Sequence, residues 1–409
     1  MRAVPLLSPP IQEEAGVTTT EASTHVELVR RAKELAPLLR QRAAWSERYG
    51  RLHDEVVEAL ADAGFLRLRT PARYGGLEAS ARTLVDVGAE LARGDGAVGW
   101  TTSSWWTPTW MAGLFPETVQ DEVFSTPDVR VCGTLSPSGT AEPVAGGYRV
   151  NGRWGFISGA LHSQWQEIIA MAPTPDGGQQ PLMALVPIRE LEIFDTWHTA
   201  GMRGSASVST VAEDLFVPAE RVLPLGAVLQ GQYASVANAE SPMFRAPLLA
   251  VAAASSVGSA IGLARAAGDE FLRRLPDRKI TYTDYAAQRD APVTHLQLAE
   301  ATLKADAAEF HGHRIADLVD ARGLSGEPWT IEERARSRAD VGAACRLGRE
   351  AVEILGGASG GSSVYETEPI QRIVRNVQTV NLHALMYPPT AFELYGRVLS
   401  GLAPNTFYV

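Results

Sequence analysis

Two stretches of the sequence hold side chains that could do chemistry beside a flat ligand. His383 lies within VNLHALMYPP, residues 380–389, which reads as a buried helix that ends at two prolines. Trp154 and Ser158 lie four residues apart in GRWGFISG, and we expect both on one face because side chains alternate along a strand. An indole face beside a hydroxyl can cover a heteroaromatic ring and hydrogen-bond its edge.

These residues also have ordinary structural interpretations. A single histidine on an apolar face is typical of a neutral core residue that donates to a backbone carbonyl. Trp154 fits an edge strand that has Ser158 at its end. From pattern alone, both the chemical and the structural interpretations stay open.

A tryptophan-rich run, WTTSSWWTPTW at residues 100–110, contains four tryptophans. Helical spacing places Trp106 and Trp110 on one face. Most such clusters form core, and the alternative is an aromatic-lined pocket in which Trp100, Trp106 and Trp110 contact a flat substrate.

The remaining glycine, histidine and cysteine motifs do not predict a phosphate loop, a metal site or a disulfide. GGASGG at 356–361 follows a predicted helix and lacks the spacing of a phosphate loop. His311 and His313 point about 200° apart on a helix, so we expect no shared metal. Cys132 and Cys345 show no ligand-like spacing, which predicts neither a disulfide nor a zinc site and favours a cytoplasmic location.

Composition narrows the choice of partners. The formal net charge of −10 over 409 residues argues against nucleic acid and against an anionic membrane surface. Residues 246–264 carry no charge and are long enough to span a membrane, but they are rich in Ala, Gly and Ser. We therefore predict a tightly packed core helix there rather than a membrane span.

Periodicity divides the chain into three structural regions. Apolar residues recur at helical spacing in the first and last parts, and short β-rich runs separated by Gly, Pro and Asn lie between them. This predicts an α+β chain with an antiparallel β-sandwich or barrel in its centre. The expected divisions are a mobile N-terminal tail at 1–24, a helical domain at 25–128, a β-domain at 129–235 and a C-terminal helical bundle at 236–409.

Four motifs together resemble the acyl-CoA dehydrogenase superfamily. They are TPARYGG (70–76), GTLSPSGTAEPVAGGYRVNGRWGFISG (133–159), GMRGSASVSTVAEDLFVPAERV (201–222) and EILGGASGGSSVYETEPIQRIVRN (353–376). Within it the chain is most similar to the two-component flavin-dependent monooxygenases, a branch with phenol hydroxylases, dibenzothiophene oxygenases and N-oxygenases. Where dehydrogenases of the superfamily hold a glutamate base, this chain has Ala384 with His383 beside it, as the oxygenase branch does.

The resemblance implies roles for particular residues. It implies that Ser158 contacts flavin N5, that Trp154 covers the ring and that His383 acts near C4a as a catalytic residue. Further implied flavin contacts are Thr134, Leu135 and Ser136 at the pyrimidine edge, Arg278 at the phosphate, across a subunit interface, and Gly357, Ser362 and Ser363 along the tail.

The resemblance also implies an activity. Reduced FMN or FAD would come from a separate NAD(P)H-dependent flavin reductase and react with O₂ to a C4a-hydroperoxyflavin, which hydroxylates or N-oxidises a small aromatic molecule. A homotetramer is usual in the family. One departure is that Pro108 occupies the position of a histidine that phenol hydroxylases of the branch carry. We therefore expect a larger flat substrate, such as a polycyclic aromatic or indole intermediate of secondary metabolism, for example in antibiotic biosynthesis.

Two other functions remain open from the sequence. One is an acyl-CoA dehydrogenase-like flavin dehydrogenase or oxidase with a base from elsewhere in the chain. The other is a homologue that binds flavin or another ligand without redox catalysis. Anaerobic mixing separates the first from an oxygenase, because only a dehydrogenase bleaches its flavin with substrate alone.

Overall fold

The N-terminal region of the chain is helical. The computed structural model describes residues 19–409, except for the side chains of residues 19–23 and 277. The helices of this region are α1 (Thr19–Tyr49), α2 (Asp54–Asp62), α3 (Ala81–Gly94), α4 (Gly96–Ala112) and α5 (Glu117–Val123). Most of the predicted tail at 1–24 lies outside the described residues, and its last part, 19–24, belongs to α1.

Helix α4 is held in place by its first residues and by burial. The Asp95 side chain caps the helix by accepting from the backbone N–H of Ala97 at 3.1 Å. Nearly all of its residues are buried, because α4 packs against α3, α7 and strand β1 (Val131–Val144). The helix therefore presents side chains to several parts of the molecule at once.

The central region forms a seven-stranded mixed sheet. Its remaining strands are β2 (Gly147–Ile157), β3 (Trp165–Pro173), β4 (Gln179–Pro187), β5 (Glu192–Phe194), β6 (Val208–Pro218) and β7 (Val222–Pro224). The strand order is β5-β6-β2-β1-β3-β4-β7. The prediction of an antiparallel sandwich or barrel was wrong in one respect: β3 lies on the other side of β1 from β2, which makes β1 and β3 a parallel pair.

Two irregularities in this sheet shape the surface that faces the helices. The pairing of β1 with β3 shifts between Gly133 and Pro137, so residues 134–136 have no partners in register. The pairing of β2 with β6 shifts between Trp154 and Ile157, and Phe156 within that interval has a left-handed backbone, φ +63°. Such bulges break the strict alternation of side chains and re-aim individual residues.

The C-terminal region is a helical bundle, as predicted. Its helices are α6 (Leu225–Leu229), α7 (Leu248–Arg274), α8 (Pro292–Ser325), α9 (Ile331–Ala358), α10 (Pro369–Asn381) and α11 (Pro388–Leu399). Helix α7 is long and apolar enough to cross a membrane, but 89% of its most apolar window is buried inside the protein. It packs against α3, α4, α8, α9 and α10, as expected of a core helix.

His383 lies in the turn between α10 and α11. Helix α10 ends at Asn381, so the interpretation of residues 380–389 as one helix was wrong. The two prolines, Pro388 and Pro389, begin α11 instead of ending the preceding helix. Proline is suited to the first helical turn because its missing N–H would be unpaired there.

Candidate active site

A cavity of about 620 Å³ lies between the sheet and the bundle. This volume is typical of sites that bind organic ligands. Its walls come from α4, the bulged part of β1, the end of β2, α7 and the turn after α10, with a smaller part from the C-terminal segment. Residues predicted from the sequence that line it are Trp100, Thr134, Leu135, Ser136, Ser158 and His383.

Ser158 stands at the end of β2 and joins two of these walls. The indole Nε1 of Trp100 donates to Ser158 Oγ at 3.0 Å. On the other side, Ser158 Oγ lies 2.7 Å from the Oγ of Ser207. The serine is therefore fixed between α4 and the segment that begins β6.

His383 faces the cavity next to Trp100. The two rings meet edge to face, with centroids 5.0 Å apart. The backbone N–H of Leu385 donates to Nδ1 at 3.3 Å, which leaves the proton of a neutral imidazole on Nε2. Although the ring presents surface to the cavity, it lies deep among protein atoms, and this desolvation, aided by the charge of Arg338, lowers the pKa of His383 to about 4. His383 is thus a neutral N–H donor at physiological pH.

The bulged segment at 134–136 offers backbone and hydroxyl groups to the cavity. Its residues no longer pair in register with β3. The carbonyl of Leu135 accepts from the Tyr408 hydroxyl at 2.9 Å, and the Ser136 N–H donates to Thr134 Oγ1 at 3.3 Å. These contacts hold the bulged segment against the C-terminal segment, outside the ladder with β3.

Trp154 does not line the cavity, which contradicts its predicted role. Its side chain is 0% exposed, and its indole N–H donates to the carbonyl of Ile169 at 2.8 Å. The indole packs over the paired glycines Gly139 and Gly152, whose backbones lie too close to it for any larger side chain. The bulge between Trp154 and Ser158 breaks the alternation on which the prediction depended.

Phe156 takes the place that the sequence analysis gave to Trp154. It lines the cavity, is 73% exposed and meets Trp197 edge to face with centroids 5.8 Å apart. The one available signal was Gly155, because a glycine inside a strand often marks a bulge. We read the strand as regular and missed it.

Two of the three tryptophans predicted to contact substrate belong to the core. Trp106 is 1% exposed and donates to the carbonyl of Phe65, and Trp110 is 0% exposed and donates to the carbonyl of Met243. The residues of α4 that face the cavity follow helical spacing from Trp100, and Trp106 and Trp110 lie off that stripe. The stripe consists of Trp100, Ser103, Ser104, Thr107, Pro108 and Met111.

The residues predicted for the flavin tail form a separate group beyond α9. Gly357 lies near the end of α9, and Ser362 and Ser363 follow in the glycine-rich turn. Arg278 packs against this turn, since a Cβ at Gly360 would lie 2.8 Å from its Nη2, and its Nη1 is buried without a hydrogen-bond partner. None of these residues lines the cavity of the same chain, and their roles stay predictions.

Two ionisable residues that were not expected from the sequence, Glu167 and Arg338, also line the cavity. Glu167, on β3 opposite Gly133, is 1% exposed, and its Oε1 has no hydrogen-bond partner. Burial raises the pKa of Glu167 well above its usual value, which favours the neutral acid. Arg338 donates to the backbone carbonyls of Tyr408 and Ala384, and so ties the C-terminal segment to the turn that carries His383.

The histidines of α8 do not share a ligand. His311 contacts Asp340 at 2.9 Å, whereas His313 contacts Asp86 at 2.7 Å. Asp86 and His313 lie close to Glu309, a grouping that could hold a metal by distance alone. Both carboxylates already form ion pairs with arginines, Asp86 with Arg82 and Glu309 with Arg265, so we assign no metal site to this group.

Comparisons with known proteins agree with this architecture. Residues 19–113 match the model of the acyl-CoA dehydrogenase N-terminal domain, and residues 254–388 match that of the C-terminal domain. A pigment production hydroxylase from a Rhodococcus species is 32% identical over 91% of this chain and 96% of its own length. The chain belongs to the acyl-CoA dehydrogenase superfamily.

Relatives of this chain within the superfamily include flavin-dependent oxygenases. The FADH(2)-dependent resorcinol hydroxylase, oxygenase component, of a Rhizobium species is 29% identical over 95% of this chain and 97% of that protein. The structure of XiaF from a Streptomyces species, in complex with FADH2 and glycerol, superposes with a TM-score of 0.88 at 32% identity and covers 95% of this chain and 98% of that one. The predicted flavin-dependent monooxygenase branch is confirmed.

The residues of the cavity fit the ring of a flavin. The bulged backbone at 134–136 supplies polar groups outside the ladder with β3, Ser158 supplies a hydroxyl, and Phe156 supplies an exposed aromatic face. Trp154, the residue predicted to cover the ring, is excluded by its burial. Phe156 is therefore the aromatic residue of β2 that can contact a ring in the cavity.

Proposed function

We propose that this flavin-dependent monooxygenase takes reduced FMN or FAD from a separate NAD(P)H-dependent reductase and uses O₂ to hydroxylate or N-oxidise a small aromatic molecule. The observation that carries the proposal is the meeting of Ser158, Trp100 and a neutral His383 in an apolar cavity. Among the described residues, Glu167 is the one carboxyl group that lines the cavity, and its burial favours the neutral form. A site without an ionised carboxylate is poorly suited to proton abstraction by a dehydrogenase base.

Bound reduced flavin would supply the electrons that activate O₂. The protein's part is to hold the ring, to exclude water and to place one N–H donor. The apolar residues of the cavity walls limit the access of water. His383 Nε2–H is the donor, since Nδ1 accepts from Leu385, and its low pKa keeps it neutral.

The lining of the cavity suits a flat substrate, but it contains fewer of the tryptophans of α4 than the sequence predicts. Trp100, Phe156 and Trp197 line it, whereas Trp106 and Trp110 do not. Pro108, at the position where phenol hydroxylases of the branch carry a histidine, also lines it. A substrate that needs no basic side chain at that position fits this wall better than a simple phenol.

The proposal is tested with ¹⁸O₂. The purified protein is mixed with chemically reduced FMN or FAD, ¹⁸O₂ and a panel of phenols, indoles and polycyclic aromatics, and products are analysed by mass spectrometry. We expect incorporation of one ¹⁸O atom that depends on reduced flavin. Bleaching of oxidised flavin by a substrate under anaerobic conditions, without ¹⁸O incorporation in air, would instead identify a dehydrogenase.

Assembly into a homotetramer is part of the proposal. Helix α8 exposes Leu296, Leu303 and Phe310, which are spaced seven residues apart and therefore lie on one face. An exposed apolar stripe on a long helix favours contact with another copy. Light scattering should give four times the monomer mass for the wild type and a smaller assembly for Leu303→Asp, and a monomeric wild type would refute the proposal.

A cytoplasmic location remains a proposal as well. Cys132 and Cys345 are both free and buried, which is compatible with a reducing compartment. Fractionation of cells that express the full chain is the direct measurement, and recovery in an exported fraction would contradict it.

A further inference from the structure

A chain of hydrogen bonds with a fixed direction leads away from Ser158. At its far end, Ser205 Oγ donates to the carbonyl of Met202 at 2.7 Å. A hydroxyl has a single proton, so in the 2.7 Å contact between Ser205 and Ser207 the donor must be Ser207. By the same reasoning, Ser158 is the donor in its 2.7 Å contact with Ser207.

Ser158 consequently has no proton left for a ligand. Its hydroxyl proton is committed to Ser207, and its backbone N–H donates to the carbonyl of Phe156 at 3.0 Å. Its oxygen accepts one hydrogen bond from Trp100, which uses one of two acceptor positions. Toward the cavity, Ser158 is therefore an acceptor only.

A flavin ring changes its hydrogen-bonding character when it is reduced. N5 of the oxidised ring is an acceptor, whereas N5 of the reduced ring carries a proton and donates. We infer that Ser205 and Ser207 are positioning residues that hold Ser158 as an acceptor and thereby make the site select reduced over oxidised flavin. The inference rests on the proposed function and on the contact between Ser158 and flavin N5 that the family resemblance implies.

This selectivity suits an enzyme that receives its flavin reduced and must release it oxidised. An acceptor opposite N5–H forms a hydrogen bond, and the same acceptor opposite unprotonated N5 leaves two lone pairs facing each other. The difference between a satisfied and an unsatisfied buried group corresponds to about tenfold in affinity. The hydroxyl chain would thus favour binding before turnover and release after it.

The test compares dissociation constants of both redox forms in variants of the chain of serines. In Ser207→Ala, the Ser158 proton loses its acceptor and can turn toward the ligand. We expect oxidised FMN and FAD to bind about tenfold more tightly while the reduced forms change little. For the two-electron couple, this tenfold change lowers the midpoint potential of the bound flavin by about 30 mV.

Ser205→Ala gives a stricter test because Ser205 does not line the cavity. Without it, the Ser207 hydroxyl can donate back to Ser158, which again frees the Ser158 proton. The dissociation constant of oxidised flavin divided by that of reduced flavin should therefore decrease, as it does in Ser207→Ala. Ser158→Ala should lower affinity for reduced flavin alone, since it removes the acceptor.

Ser163→Ala is the matched control. Ser163 accepts from Trp105 Nε1 at 3.0 Å, as Ser158 does from Trp100, but it donates to the carbonyl of Gly159, and none of the described hydrogen bonds joins it to Ser205 or Ser207. Its substitution should leave the ratio unchanged. Titrations with oxidised and dithionite-reduced FMN and FAD under anaerobic conditions, followed by fluorescence or calorimetry, measure every value without turnover.

The outcomes separate the inference from the proposed function. A ratio within twofold of wild type in both Ser207→Ala and Ser205→Ala overturns the inference, as does an equal change in Ser163→Ala. If the wild type binds neither form of either flavin, the proposed function fails and the inference fails with it. Normal binding with an unchanged ratio removes the inference alone.

Discussion

Substitutions at Trp154 and Phe156 separate a structural residue from a ligand-contacting one two positions away. Trp154→Phe removes a fully buried N–H that donates to Ile169 and leaves a void where the larger ring was. The unpaired carbonyl costs about 1–3 kcal/mol, and the void adds about 1–2 kcal/mol. We expect the free energy of unfolding to fall by about 2–5 kcal/mol, with flavin affinity unchanged within about threefold.

Phe156→Gly should give the opposite pattern. Release of the left-handed backbone at φ +63° gains about 1–2 kcal/mol. The entropy of glycine in the unfolded chain costs about 0.5–1 kcal/mol, and loss of the edge contact with Trp197 costs about 0.5–1.5 kcal/mol. The net change in stability lies between a loss of about 1.5 kcal/mol and a gain of about 1 kcal/mol, while the lost aromatic face lowers flavin affinity by about tenfold.

Two assays on the same preparations test whether Trp154 belongs to the core and Phe156 to the cavity. Urea unfolding of the flavin-free protein reports the free energy of unfolding, and fluorescence titration with FMN and FAD reports the dissociation constants. Each variant serves as the control for the other, because both lie on β2. Loss of flavin affinity in Trp154→Phe at unchanged stability would refute the assignment of Trp154 to the core and of Phe156 to the cavity.

Three further predictions concern the titratable residues. His383→Leu should leave flavin affinity within about threefold of wild type but lower product formation about a hundredfold and raise H₂O₂ release. An unchanged ratio of product formed to O₂ consumed would exclude the donor role of His383. Burial lowers the pKa of His162 to about 4, so below pH 6.5 the unfolded chain binds a proton that the folded one does not. Stability should fall by about 1–2 kcal/mol, after allowance for partial exposure, between pH 6.5 and 4, and urea titrations of His162→Gln should show a flatter profile. Burial raises the pKa of Glu167 in the folded protein, so stability is lost as pH rises above the usual glutamate value of about 4.5. Glu167→Gln should flatten this loss in the same assay, and a profile as steep as that of the wild type would show that the carboxyl is ionised.

The order of helical, β and helical regions could be predicted from periodicity, because it depends on side-chain spacing alone. The local geometry of the site could not. Trp154 and Ser158 would share a face of a regular strand, and one irregularity between them sends the indole into the core. Gly155 is the local sign of this irregularity, but a glycine inside a strand does not by itself fix where the register shifts.

A similar limit applies to α4. Spacing indicates that Trp106 and Trp110 share a face, but not which face meets the cavity, because α4 is buried on nearly all sides. His383 was found by resemblance and not by periodicity, and the turn that carries it was mistaken for helix. Glu167 was missed because a single acid within an apolar strand gives no spacing signal.

Two tryptophan–serine pairs show how one local pattern serves both structure and function. Trp100 with Ser158 and Trp105 with Ser163 are each 58 residues apart, and each indole donates at 3.0 Å. The Ser163 hydroxyl donates to the backbone carbonyl of Gly159, so this pair forms hydrogen bonds only within the protein. It joins α4 to the residues that follow β2. The first pair lies in the cavity wall, where Ser158 keeps one acceptor position open. The two pairs share the same residue types, spacing and distance, so sequence spacing alone cannot tell the core pair from the cavity pair.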